Sequence, residues 1–186
     1  MAACGVSMGL VSSLDELRAT AHPLRLRLLS LLTGLPASAA EAGRELGCSQ
    51  ASASYHLRVL ERAGLVEVVE TVRLRGGEAK RYRHASSALP FRVDEARASS
   101  SRAEADDREL FVEALADELR RRSALRTDGP QTSTDAELWV DPETWRSVVR
   151  HVGQASAALH AAAQAPRTPG TRPVSMTAAL FPLRRP

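Results

Sequence analysis

Gln50, Ser52, Ser54, Tyr55 and Arg58 crowd into one short stretch and offer amide, hydroxyl, phenol and guanidinium groups, a mixed set of hydrogen-bond donors and acceptors. At about 100° per residue, Ala53, Leu57 and Leu60 share one stripe of a helix, while Ala51, Ser52, Tyr55, Arg58 and Arg62 gather on the opposite side. Ser49 supplies a start signal, because its hydroxyl can accept from the free first-turn amides. Gly64 supplies a stop signal. The expectation is one capped helix over residues 49–63. Its first turns carry only Gln50 between small residues, so that end is thin enough for a groove about 12 Å wide. In such a groove, glutamine suits adenine, arginine suits guanine, and serine hydroxyls serve either polarity. Taken alone, the same pattern also describes an ordinary amphipathic surface helix.

The neighbouring stretches favour the first reading. Residues 39–46 form a short helical segment, and Gly47-Cys48 turns tightly into the Ser49 cap, which is helix-turn-helix spacing. Residues 65–73 are rich in Val and Thr, 75–78 read as a turn, and 79–84 return as a second strand. This hairpin carries Arg75, Lys80 and Arg81 around its tip, positions suited to backbone phosphates. Arg25, near the start of an earlier helix, either holds a phosphate or pairs with a carboxylate. His56 lies at the edge of the buried stripe, as a packing histidine or a base reader.

The order of helix, turn, helix and basic wing is joined by specific residues. Ala21-His22-Pro23-Leu24-Arg25-Leu26-Arg27-Leu28-Leu29, then Ser49-Gln50, Ser54, His56-Leu57, Leu60 and Gly64-Leu65-Val66 resemble the ArsR family of bacterial winged-helix transcription regulators. The resemblance covers residues 14–84, under half of the chain. It implies a homodimer on a palindromic operator, usually a repressor released by a small effector. Many relatives carry histidine after the position of Ser54, where this chain has Tyr55.

Length and charge are compatible with this reading. The 186 residues suffice for one domain or two small ones, and the formal charge is +3, which permits nucleic-acid binding without requiring it. Residues 14–84 contain 11 basic and 8 acidic side chains, the whole of that excess. Cys4 and Cys48 are the only cysteines, too few for a disulfide framework. With neither a signal-peptide pattern nor an apolar run near the ~20 residues that span a bilayer, a cytoplasmic setting and no membrane partner are expected.

The remaining stretches must position that reading head. Residues 1–13 read as a flexible terminus and 14–20 as a helix. Pro23 opens a second helix whose core stripe is Leu24, Leu28, Leu31 and Leu32. Residues 86–105 have linker composition. A helix over 106–122 follows, with Leu110, Phe111, Ala114, Leu115 and Leu119 as its apolar face and Arg120-Arg121-Arg122 at its end, either a phosphate contact or a solvated terminus. After a second linker at 127–134, a strand is expected at 137–140, then a helix over 142–164 started by Asp141-Pro142-Glu143. Its apolar spacing predicts packing along its length against another element or another copy of itself. Alternation over 174–181 predicts a last strand. The fold class is thus α+β, mostly α: a winged helix over 14–85, a linker, and a C-terminal helical and strand-helix-strand extension over 106–186 serving dimerisation and possible effector binding.

Other chemistries find little support. One thiol, Cys48, sits where a soft-metal site needs at least two. His151 and His160 are nine apart on opposite sides of their helix, which excludes the pairing a zinc site uses. No phosphate-binding glycine loop precedes a helix, and no Ser-His-Asp set can be assembled. The expected protein is a DNA-binding regulator with no cofactor, no metal and no enzymatic activity. Its partners are double-stranded DNA, a second copy and an unknown small effector. The rival is a winged helix kept as a protein-interaction or effector-sensing module.

Overall fold

The structure, a computed structural model, describes residues 13–74, 77–85 and 102–184. Cys4 and the terminal stretch up to residue 12, Arg75 and Gly76 of the wing turn, and residues 86–101 of the expected linker lie outside the described residues.

Helix α1 (Ser13–Thr20) leads into α2 (Pro23–Gly34). His22 caps α2 by accepting a hydrogen bond from the Leu24 amide through Nδ1 at 3.1 Å, and Pro23 occupies the first helical position. A two-residue strand β1 (Ala37–Ser38) precedes α3 (Ala39–Leu46). Ser38 and Glu41 form a reciprocal capping box: the hydroxyl accepts from the Glu41 amide, and the carboxylate accepts from the Ser38 amide at 2.7 Å. These bonds, led by those from Ser38, hold the Glu41 carboxyl below its ordinary pKa.

Helix α4 (Gln50–Arg62) and the hairpin β2 (Val66–Leu74) and β3 (Gly77–His84) complete the first half. The sheet order is β1-β3-β2, antiparallel throughout. Val66 pairs with His84 and Leu74 with Gly77, with a register shift between Val68 and Glu70. β1 was not anticipated; Ala37 pairs with Tyr82 and Ser38 with Arg81. Leu28 and Leu32 of α2 meet Leu57 and Leu60 of α4 in the core, all four without exposed surface. Each such side chain stabilises the fold by about 2 kcal/mol through burial.

The second half differs from expectation in three ways. Helix α5 (Arg102–Ser123) begins four residues earlier than expected, since Ala103, Glu104 and Ala105 are good helix formers that the serine-rich composition upstream obscured. It packs on α1 and α2, and its apolar residues divide. Ala114 is buried and Phe111 and Leu115 half-buried, whereas Leu110 and Leu119 are exposed. The buried face instead includes Glu118, which accepts from Arg121 at 2.7 Å and Arg122 at 3.3 Å. Burial alone would raise this carboxyl's pKa, but hydrogen bonding and charge from Arg121, then the charges of Arg122 and Arg27, hold it below the ordinary value. With Arg120 on Asp117 at 2.8 Å, the arginine triple is engaged on its own helix.

Helix α6 (Pro142–Ala161) starts at the expected Asp141 cap, which accepts from the Glu143 and Thr144 amides, but ends three residues short of Gln164. Within the single chain it has only Ser156 fully buried, with Trp145, Val149 and Val152 half-buried and Val148 and Leu159 exposed. The expected strands at 137–140 and 174–181 do not form. A strand needs a hydrogen-bonding neighbour, and neither segment is paired in the three-stranded sheet. Alternation described their composition correctly but supplied no partner. Trp139 stands 88% exposed as a result.

Candidate nucleic-acid interface

Two close contacts set the reading helix in place. Gly47 ends α3 in the left-handed conformation at φ 68°, a region nearly free of cost only for glycine. Gly43, inside α3, lies so near the turn that a Cβ there would sit 2.9 Å from the Cys48 carbonyl oxygen and 3.3 Å from the Gln50 amide nitrogen. The end of α3 is thus packed directly against the backbone that leads into the next helix. Ser49 then accepts from the Ser52 amide at 3.1 Å and starts α4. Gly64, at φ 71°, follows its end.

The stripe expected to be buried is buried: Ala53, Leu57 and Leu60 have no exposed surface. Opposite them, Ala51, Tyr55, Arg58 and Arg62 form an exposed ridge, with Gln50 exposed at the helix start and Ser52 and Ser54 half-exposed at its flanks. Tyr55 is 55% exposed. Arg58 donates to the Ser54 carbonyl at 3.3 Å and Arg62 to the Arg58 carbonyl at 3.2 Å, so both stems lie back along the ridge. Of the five expected base readers, Gln50, Tyr55 and Arg58 are exposed, with Ser52 and Ser54 half-exposed on opposite flanks. Arg62 extends the same exposed ridge by one turn.

The four expected phosphate contacts separate. Arg75 lies outside the described residues. Lys80 is exposed at the wing and reaches back to Glu61 of α4 at 3.2 Å, a pair that raises the lysine pKa. Arg81 turns inward instead: it donates to the Pro36 carbonyl at 2.7 Å and lies 3.5 Å from Glu70 and 3.7 Å from Glu41. Pro36 and Glu41 flank β1 and Glu70 lies on β2, so Arg81 is a staple between strand and helix rather than a free cation. Arg25 is engaged by backbone carbonyls. Its Nη2 donates to the carbonyls of Arg18 at 3.1 Å and Ala21 at 3.4 Å, closing the end of α1. Burial lowers its pKa. Two further wing cations, Arg73 and Arg83, are exposed, with Arg73 3.5 Å from Glu78.

Behind the ridge, the His56 ring lies 4.4 Å from that of His22, and Tyr55 packs edge-on against His56 at 5.1 Å. His56 is thus in contact with the scaffold, and its Nδ1 is buried without a hydrogen-bond partner among the described residues. Burial lowers the pKa of both rings, with Arg25 adding to each and His22 adding to that of His56. Neutral imidazoles are favoured here. Among the described residues no three His, Cys, Asp or Glu side chains cluster as a metal site. His151 and His160 each place Nδ1 2.8 Å from the carbonyl four residues back in α6.

Residues 20–69, from the end of α1 into β2, match a family model described as a helix-turn-helix domain. A search of curated proteins finds no match. The chain therefore carries a helix-turn-helix DNA-binding domain with a wing-like hairpin behind it. No described helix is long and apolar enough to cross a membrane.

Proposed function

We propose that this protein is a sequence-specific transcription regulator resembling the ArsR family, acting as a homodimeric repressor on a palindromic operator. The observation that carries the reading is the polar and basic ridge of α4, exposed along its length while the opposite stripe is completely buried. Gln50, Ser52, Ser54, Tyr55 and Arg58 read base edges. Arg62, Lys80, Arg73 and Arg83 hold phosphates, whose contribution is independent of sequence. Two ridges about 34 Å apart, one turn of DNA, would meet two half-sites. Support for pairing through α5 comes from Val112 and Leu119, 53% and 49% exposed two turns apart on that helix. The C-terminal region over 106–186 serves dimerisation and the binding of a small effector.

A gel shift with the DNA upstream of the protein's own gene tests the reading. Sharp binding that survives excess random competitor is the expected result. Retention on heparin without any such complex would favour the rival, an interaction module, for which the bare Trp139 is the supporting feature.

A further inference from the structure

We infer that the segment from Gln164 to Arg167 is a clasp that positions α3, and through it the reading helix, so that the C-terminal region sets how α4 is presented. The inference rests on the DNA-reading role proposed above. Three observations carry it. Gly34, the last residue of α2, lies so close to the segment that a Cβ there would come within 2.4 Å of the Gln164 carbonyl oxygen, a backbone atom. Arg167 holds a left-handed conformation at φ 66°, which costs a non-glycine residue about 1 kcal/mol and persists only where contacts require it. From there its guanidinium grips both carboxylate oxygens of Glu45 on α3, Nη1 at 3.1 Å and Nη2 closer still.

An exposed ion pair alone contributes little. Here it closes a loop of contacts, because the segment is seated on Gly34 at one end and tied to α3 at the other. Between them lies a cavity of about 260 Å³ floored by Leu31, Leu35 and Ala37. Glu45 sits in the last turn of α3, one residue before Leu46, whose carbonyl accepts from Arg27 at 2.7 Å. Gly43 transmits the position of that turn to the start of α4 through its approach to Cys48 and Gln50. Glu45 and Arg167 are therefore positioning residues.

Three variants of the full chain separate this from a general charge effect. E45Q makes the protein more positive, R167Q makes it less positive, and G34A leaves charge unchanged while displacing the Gln164 carbonyl. Hydrogen exchange of residues 39–48 and 162–168, DNA affinity by fluorescence anisotropy, and melting temperature are measured for each. All three should speed exchange in both segments and weaken specific DNA binding in the same direction, by about fivefold, with melting temperatures close to the parent. Affinities moving oppositely for E45Q and R167Q, or exchange rising at 162–168 while 39–48 and DNA binding stay unchanged, overturn the inference. Unaltered exchange in all three overturns it too. If the parent binds no DNA specifically, the regulator reading fails, and the exchange of 39–48 alone decides whether the clasp positions α3.

Discussion

Lowering the pH from 7.5 to 4.5 should destabilise this fold chiefly through His84. The ring ends β3, where its Nδ1 lies 3.0 Å from the Thr33 hydroxyl oxygen. That hydroxyl donates its single proton to the Leu29 carbonyl at 2.9 Å, so the ring donates to Thr33 through Nδ1–H. Burial, with a smaller contribution from His160, lowers its pKa from 6.5 to about 4. An unfolded chain binds the proton at the higher value. Stability is therefore intact above about pH 6.5, falls as the pH drops, and has lost the whole contribution below about pH 4. At about 1.4 kcal/mol per pH unit the full loss is about 3 kcal/mol, of which most is reached by pH 4.5.

Urea unfolding at pH 7.5, 6.5, 5.5 and 4.5, for the parent and for His84→Asn, reads this directly. Asparagine retains an N–H for Thr33 but cannot titrate. The variant should be somewhat less stable at pH 7.5 and show a shallower decline, so that the two curves converge or cross by pH 4.5. Some slope will remain in both, because burial also lowers the pKa of His22 and His56 and they destabilise in the same direction. Parallel curves across the whole range would refute the assignment.

Gln50→Ala should change which operator variants are preferred in a binding-site selection, whereas Arg62→Ala should weaken all sequences alike and reduce the slope of log affinity against log salt by about one per protomer. Arg81→Ala should leave that slope unchanged and instead cost about 1–2 kcal/mol in thermal or urea unfolding, because the Pro36 carbonyl and two carboxylates lose a charged partner. Leu119→Asp should shift sedimentation equilibrium at micromolar concentration towards monomer, since it places a charge on the exposed side of α5 while sparing the buried Ala114 and Glu118.

What could be read from the chain and what could not divide along the range of the interactions. The bounds 39–46 for α3, the caps at Ser49 and Asp141 and the stop at Gly64 depend on residues within a turn of one another, and the structure reproduces them. The same holds for the division of α4 into a buried stripe and an exposed ridge, because helical periodicity alone decides which side chains can face one way. Type and position mark Arg81 as a cation near DNA and Arg25 as either that or a carboxylate's partner, yet what engages them is a set of carbonyls and carboxylates contributed by other elements. Two of these, Pro36 and Glu41, flank a strand of two residues that no local pattern announces. The expected strands at 137–140 and 174–181 failed in the opposite sense. Their residues suit a strand, but the required neighbour is not a property of the segment.

The distribution of glycines offers a physical reason for the way the two halves of the chain join. Gly43 removes the side chain that would separate α3 from the turn, and Gly34 removes the one that would separate α2 from the segment after α6. One approach packs the end of α3 against the backbone that leads into α4; the other brings the C-terminal region against α2, with Arg167 reaching across to α3. A displacement of α6 and its trailing segment is then resisted at the helix that carries the turn, not at the wing. His84, at the end of β3 and under the charge of His160, is the only other group whose titration links α6 to the sheet among the shifts described above. A ligand or partner that moved α6 would therefore be read out first in the angle of the recognition helix and only secondarily in the hairpin.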